Sequence, residues 1–376
     1  MRFATIRNFL FQVHMWVGLV LGLLLVIIGL SGSLLVYDED FQHWMQPVPH
    51  VSGTGTPASL GRLIAAARET TGRERGQVQV VMPQANGEAV TVRFGQFSRM
   101  QRGESRGPAP LDVFVDPASA QVVGQRTPEP MPLFGMAHQL HGSLLMAREG
   151  RQFVGWLGVA MLALGVSGLV LWWPKRGQWK YAFIVRRSAK GLRFHRELHA
   201  MLGIWTFIVF MVVSFSGVAI VFPQSINAMT GGAPLPVRAR GVPTVEPLRG
   251  AQRIGADEAA KLALAAVPES ELRSVTLPAR PNQAVNVALA KYGSMNAGAV
   301  IDPYRATVMQ VRDPSTTFMG WQRPLHDGTV GGIWRFLVFL SGLLPAVFVF
   351  TGVVMWAKKR KARLSMGAPL AEGATP

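Results

Sequence analysis

The sequence predicts an integral membrane α+β protein, with four transmembrane helices in two parallel repeats and an α/β module outside the bilayer in each repeat. Three observations predict this. Four runs, 13–36, 152–173, 198–222 and 336–357, contain no Lys, Arg, Asp or Glu and have at least 22 residues each, against the ~20 a spanning helix needs. Patterns recur about 185 residues apart: His14 and Gly18 return as His199 and Gly203, and "LSG" ending at Gly32 returns as "FSG" ending at Gly217. Between the runs lie short segments of period-two hydrophobicity, the mark of strands.

Residues 1–37 hold an N-terminal tail and the first helix. Arg2 and Arg7 before an apolar run suggest a signal peptide, but the run exceeds the ~7–15 residues of a signal core. "VYDED" follows where a cleavage site would stand, so the segment reads as a retained span. Residues 38–151 form the first module. A helical pattern covers 60–67, with Ser59 as start signal and Gly72 as stop. Strand-like runs follow at "QVQVVM", "AVTVRF", "LDVFVD" and "AQVVGQ", and the Gly, Arg and Pro of 95–110 read as a loop.

The second helix, 152–173, leads into a basic loop, 174–197, and the third helix, 198–222. Residues 223–335 form the second module, with a helix at "GADEAAKLALAAV" and strands at "VNVALA", "AGAVID" and "ATVMQV". Asp116-Pro117 and Asp302-Pro303 fall at matching places and read as turns between strands. The fourth helix, 336–357, contains Pro345, where a kink is expected, and a basic tail, 358–376, closes the chain. The halves align further: His141 with His326, Gly168 with Gly352, and Trp172 with Trp356. Both halves start from the same side, so a pseudo-two-fold axis along the membrane normal should bring equivalent residues face to face.

Charge sets the expected orientation. Formal net charge is +17, and fifteen basic residues sit in the two tails and the 174–197 loop against two acids there, Glu197 and, among the last residues, Glu372. Segment 38–151 instead balances 11 basic with 11 acidic residues, and 223–332 has 11 and 8. The positive-inside rule puts both termini in the cytoplasm and both modules outside, in a multi-pass membrane protein. Because the excess follows this rule, it calls for no nucleic-acid partner, and the lipid bilayer is the partner it implies. Mean hydropathy is +0.24, and the absence of cysteine removes disulfides, iron–sulfur clusters, thiolate zinc sites, cysteine nucleophiles and C-x-x-C-H haem attachment. "HRELH" at 195–199 has Arg196 where a zinc peptidase needs Glu, and no nucleotide-binding glycine fingerprint occurs.

The segments "VHMWVGLVLG…LSGSLLV", "LHG…GVSGLVLWWPKR", "RELHAMLGIW…SFSG" and "LHDG…TGVVMWAKKR", with paired α/β modules between them, resemble the PepSY-associated transmembrane helix family over nearly the whole chain. Within it the likeness is to inner-membrane ferric-siderophore reductases. That resemblance implies the bacterial inner membrane, PepSY-like periplasmic modules and a di-haem protein that reduces iron held in a hydroxamate chelate of the ferrioxamine type.

Eight histidines are available. An ionisable residue inside a span is a functional-site hypothesis. His14 and His199, each second in an uncharged run, are expected to lie at one depth and to be axial ligands of an inner b-type haem. His141 and His326 form the equivalent outer pair for a second b-type haem near the outer membrane surface. His138 and His195, one turn from His141 and His199, are the alternative ligands or contacts. Arg7, Arg193 and Arg196 stand at the level of the inner propionates, and Arg148, Arg151, Arg323 and Arg335 at that of the outer ones. Gly32, Gly168, Gly217 and Gly352 fit close approach of a porphyrin or of a neighbouring helix equally. Trp172, Trp173 and Trp356 fit an aromatic belt, and the 17 methionines fit core filling.

The expected function is therefore haem-dependent reduction of a ferric siderophore in the periplasm, with electrons from an unidentified cytoplasmic or membrane donor. The alternatives are a membrane-tethered binding or inhibitory module without redox activity, and a siderophore permease. One difficulty is distance: a 22-residue span places the tiers ~33 Å apart, and Trp16, Trp156 and Trp205 are the candidate relays.

Overall fold

The computed structural model describes residues 2–52, 55–95, 110–129, 131–232, 243–248, 250–292 and 295–366; the 95–110 loop lies almost wholly outside them. In chain order the elements are α1 (Arg2–Val36), α2 (Asp38–Met45), α3 (Leu60–Thr71), β1 (Val78–Val81), β2 (Val90–Phe94), β3 (Leu111–Val115), β4 (Val122–Arg126), α4 (Pro132–Ser143), α5 (Ala147–Trp172) and α6 (Trp179–Ala182). They continue with α7 (Gly191–Val221), α8 (Pro223–Met229), α9 (Ala256–Ala266), β5 (Ser270–Leu277), β6 (Val285–Lys291), β7 (Met295–Asp302), β8 (Thr307–Arg312), a 3-10 turn (Pro314–Thr316), α10 (Phe318–Asp327) and α11 (Gly332–Met366).

Among the described residues four helices, α1, α5, α7 and α11, are long and apolar enough to cross a membrane. They extend beyond the uncharged runs. At ~1.5 Å per residue, the 35 residues of α1 and of α11 each reach ~52 Å, longer than the ~30 Å hydrocarbon layer. The helices pack as a bundle, α1 against α11 and α5 against α7, with α7–α11 and α1–α5 contacts closing it. Small residues permit the closest approach: a Cβ on Gly29 would strike the carbonyl of Gly342, and one on Gly342 would strike Ser33 Oγ, which donates to the carbonyl of Phe339 at 2.7 Å. Pro345 lies inside the single continuous helix α11. Trp172 packs edge-on against Trp173, Trp179 and Phe183 beyond the ends of the spans.

Outside the bundle, all eight strands form one antiparallel sheet in the order β4-β3-β2-β1-β5-β6-β7-β8. Two separate modules were the expectation, yet β1 and β5 pair across the halves, Val78 opposite Leu277 and Val81 opposite Ser274. Joining them removes two unpaired strand edges that would otherwise expose backbone donors and acceptors. Strand β5 escaped the sequence reading because its "SELRS" start lacks clean alternation and its pairing with β6 is bulged between Leu272 and Ser274. One face of the sheet carries Val78, Val80, Val90, Val92, Val275 and Val287 into a core covered by α3 and α9. Ser59 caps α3 by accepting from Arg62 N–H, and Gly72 ends it at φ 64°. A second cap comes from the other half: Asp257 on α9 accepts from the N–H groups of Leu60 and Gly61 at 2.7 and 2.9 Å. Both oxygens thus satisfy orphan donors at the positive end of the helix dipole.

Candidate functional site

Two short helices decide the site. Helix α4 begins on Pro132 and ends at Leu144, φ 47°, with Leu145 and Ala147 also at positive φ, which turns the chain sharply into α5. Helix α10 begins with a Thr317 cap and ends at Gly328, φ 84°. Helix α4 packs on α1 and α5, and α10 packs on α7. The last turn of each lies against a spanning helix. His141 and His326 are in those last turns.

The outer expected pair does come together. The Nε2 atoms of His141 and His326 are 3.5 Å apart, with ring centroids at 5.7 Å. His141 Nδ1 donates to the carbonyl of Ile28 at 2.9 Å, and His326 Nδ1 donates to that of Val213 at 3.0 Å. Ile28 and Val213 are themselves 185 residues apart. A carbonyl can only accept, so each Nδ1 carries a proton, and in the neutral ring each Nε2 then presents a lone pair. Two lone pairs facing at this distance repel unless a cationic centre or a proton lies between them.

Gly32 and Gly217 allow this approach. A Cβ at Gly32 would lie 2.7 Å from His141 Cε1, and one at Gly217 would lie 3.0 Å from His326 Cε1. The outer pair is thus seated against the bundle, alongside residues 28–32 of α1. Fourteen to eighteen residues of α1 separate His14 from that level, or roughly 21–27 Å, which shortens the ~33 Å expected between tiers. The structure puts none of the three candidate relays between the tiers: Trp16, Trp156 and Trp205 are 52%, 64% and 68% exposed on the outside of the bundle.

The inner pair, His14 on α1 and His199 on α7, also meets, with ring centroids 6.3 Å apart and planes at 74°. His14 Nδ1 pairs with Ser167 Oγ at 2.9 Å and His199 Nδ1 with Thr351 Oγ1 at 2.7 Å. Each hydroxyl donates its own proton to a carbonyl of its helix, Leu164 at 3.1 Å and Val347 at 2.8 Å. The hydroxyl oxygen therefore accepts from Nδ1–H, and Nε2 again carries the lone pair. Sequence reasoning missed Ser167 and Thr351. The available signal was their place directly before Gly168 and Gly352, in "VSG" and "FTG", 184 residues apart in otherwise apolar runs. Gly18 and Gly203, one turn beyond His14 and His199, have no described atom within 4 Å of a built Cβ, so space remains beside the inner rings.

The other expected residues are placed as follows. His138 is exposed on α4. His195 meets Phe194 and Phe350 edge-on, and its buried Nδ1 has no hydrogen-bond partner among the described residues. Arg7 donates to the carbonyl of Leu171 at 2.8 Å, while Arg193 joins Arg186 on Glu197. Arg148, Arg196 and Arg323 are exposed. Arg151 donates to the carbonyl of Ile220 and Arg335 to that of Val36, at 3.0 and 2.7 Å, with Asp40 as a second partner of Arg335. These two guanidinium groups satisfy carbonyls at the ends of α7 and α1, where a positive charge also suits the dipole.

Among the described residues no group of three or more His, Cys, Asp or Glu side chains converges as a metal site. The constellation is therefore two facing imidazole pairs, each with two protein donors. A family model described as the PepSY-associated TM region matches residues 11–359. No curated protein matches the chain.

Proposed function

The chain belongs to the PepSY-associated TM family, and from that premise we propose that it is a di-haem oxidoreductase of the bacterial inner membrane, which carries electrons outward to reduce a ferric siderophore. In this reading the chain is a parallel duplication, with both termini in the cytoplasm and the sheet in the periplasm. One observation carries it: His141 and His326 turn their Nε2 atoms toward each other at 3.5 Å, inside an apolar bundle.

The donor set fits haem. His141 and His326 present ring nitrogens 3.5 Å apart, donors of the kind that would hold haem iron. Two protein donors per site suit a cofactor that would bring the rest of its own ligands. His14 with His199 and His141 with His326 would be the ligands. A b-type haem supplies one-electron chemistry when so bound, with no iron position left open to substrate.

The chain's own residues do the rest. Ser167, Thr351 and the carbonyls of Ile28 and Val213 hold the four imidazoles in one tautomer and raise their basicity as ligands. The apolar spans exclude water from both tiers. Ferrous iron suits hard hydroxamate oxygens less well than ferric iron does, so one-electron reduction loosens the chelate and frees the metal. A reduced cytoplasmic or membrane carrier supplies the electrons.

Detergent-purified protein should show sharp cytochrome bands in a reduced-minus-oxidised spectrum, with two haems per chain. His14→Ala and His326→Ala should each remove one. A colourless, folded protein would favour the tethered binding module or the permease, and a variant retaining both pigments would refute the pairing.

A further inference from the structure

Helix α2 is amphipathic in the opposite sense to a helix packed on a soluble domain. Its polar side meets the sheet module: His43 Nε2 lies 2.9 Å from Glu88 Oε1, and Gln46 Nε2 donates to the carbonyl of Glu129 at 2.9 Å. Phe41, Trp44 and Met45, spaced i, i+3 and i+4, share the other side and are exposed. In water such a stripe turns toward the core. Phe41 packs on Trp44 and on Phe134 of α4, with centroids 5.6 and 5.4 Å apart, and α4 adds exposed Leu133 and Met136 to the same surface.

The duplication repeats this exposure. At the 185 offset, Trp44 corresponds to Met229 on α8 and Leu133 to Phe318 on α10. Trp44 and Met229 are 72% and 81% exposed, and Leu133 and Phe318 are 57% and 51% exposed. Single apolar side chains scattered on a surface are ordinary. Large apolar residues left bare at two matched positions, in copies whose residues there differ, point to one environment shared by both copies.

That environment adjoins the spans. Only Tyr37 separates α1 from α2, and Leu30 and Leu34, near the end of α1, are exposed. The turn from α4 into α5 carries exposed Leu145 and Met146. The bare surface therefore continues the apolar surface of the spanning helices. The acids of α2 have partners within the protein: Glu39 meets Arg273 of the sheet at 3.9 Å, and Asp40 meets Arg335. A short helix with a polar side held by protein and Trp on its free apolar side suits the plane of a membrane interface.

We infer that α2 and α4, with their repeats α8 and α10, form a collar whose apolar side is embedded in the leaflet nearest the sheet, at the boundary of headgroups and acyl chains. The partner is the lipid of the membrane that the spans cross. The collar sets how deep the bundle sits. From Ile28, whose carbonyl holds His141, α1 rises a further ~12 Å to Val36 before α2 begins, and α7 repeats that rise from Val213 to Val221. His141 and His326 then lie beneath the headgroups. The inference rests on the spans and stands apart from the reductase reading.

The chain has no cysteine, so a single introduced cysteine carries a nitroxide label at one known place. Trp44→Cys, Leu133→Cys, Met229→Cys and Phe318→Cys, each in the full chain reconstituted in phosphatidylcholine vesicles, are compared by EPR power saturation. Oxygen reports lipid and a water-soluble nickel chelate reports solvent. Leu23→Cys on the exposed side of α1 and Arg75→Cys in the exposed turn after α3 set the two limits. The four collar labels should favour oxygen over the chelate, at a depth of roughly 5–10 Å, and Arg75 should show the reverse. Four positions in two copies keep the outcome independent of whether any one variant folds. Collar labels as open to the chelate as Arg75 would overturn the inference. So would labels shielded from both agents, with spin–spin broadening that disappears on dilution with unlabelled protein, the result expected of a second copy seated on this face. Lipid-embedded labels in a haem-free protein would uphold the collar and remove only the reductase reading.

Discussion

Gly32→Ala tests the outer tier by adding a single methyl group. A Cβ there would lie 2.7 Å from His141 Cε1 and 2.9 Å from its Nδ1, where carbon atoms in contact rest at ~3.5–4.0 Å. The ring must retreat by about 1 Å. The Nδ1 bond to Ile28, now 2.9 Å, would then pass beyond hydrogen-bonding range. The expected cost is ~1 kcal/mol for that bond and ~1–3 kcal/mol for overpacking. Against these, Ala favours a helix over Gly by only ~0.5–1 kcal/mol. A ligand that loses its supporting bond typically loses ~10–100-fold in metal affinity, so the outer haem should be substoichiometric and the inner one retained. Gly217→Ala, with its built Cβ at 3.0 Å from His326, should act less, and Gly168→Ala, at 3.4 Å from His14, less again. Gly135→Ala, at an exposed position of α4, meets nothing within 4 Å and serves as the control. Haem per chain by pyridine haemochrome, with a redox titration, reads the series. Full outer haem in Gly32→Ala, or equal losses across the series and the control, would refute the reasoning.

Three further outcomes are expected. Thr351→Val keeps the shape of a fully buried residue but removes the acceptor of His199 Nδ1; inner haem affinity should fall ~10–100-fold, read by haem transfer to apomyoglobin, with the outer haem unaffected. Asp257→Ala should cost ~1–2 kcal/mol and speed hydrogen exchange at the N–H groups of Leu60 and Gly61, although the mutated residue lies in the other half of the chain. Burial alone would raise the Asp313 carboxyl, but bonds from Lys291 Nζ and Ser315 outweigh it and hold it below its ordinary value. A depressed folded-state value gives stability that is present above the ordinary carboxylate range and lost as pH falls through the folded value. The melting temperature of the outer sheet should therefore drop on acidification, and Asp313→Asn should flatten that dependence while lowering stability at neutral pH.

The sequence alone showed four apolar runs and the recurrence of four histidines at a fixed offset, because each rests on composition and spacing along the chain. Uncharged runs report the solvent each segment needs, and a fixed offset between His14 and His199, and between His141 and His326, marks matched positions without any knowledge of contacts. Ser59 and Gly72 at the ends of α3 were legible because capping is local. Only the tertiary structure decided the depth of the outer pair, since nothing local in "LHG" or "LHDG" says that α4 and α10 fold back against α1 and α7. It also decided what holds the rings: two of the four Nδ1 acceptors are backbone carbonyls, which every residue has and no pattern can single out. Pairing of β1 with β5 and the Asp257 cap on α3 likewise join residues nearly two hundred positions apart, and such contacts depend on the packed arrangement of both halves rather than on the periodicity of either.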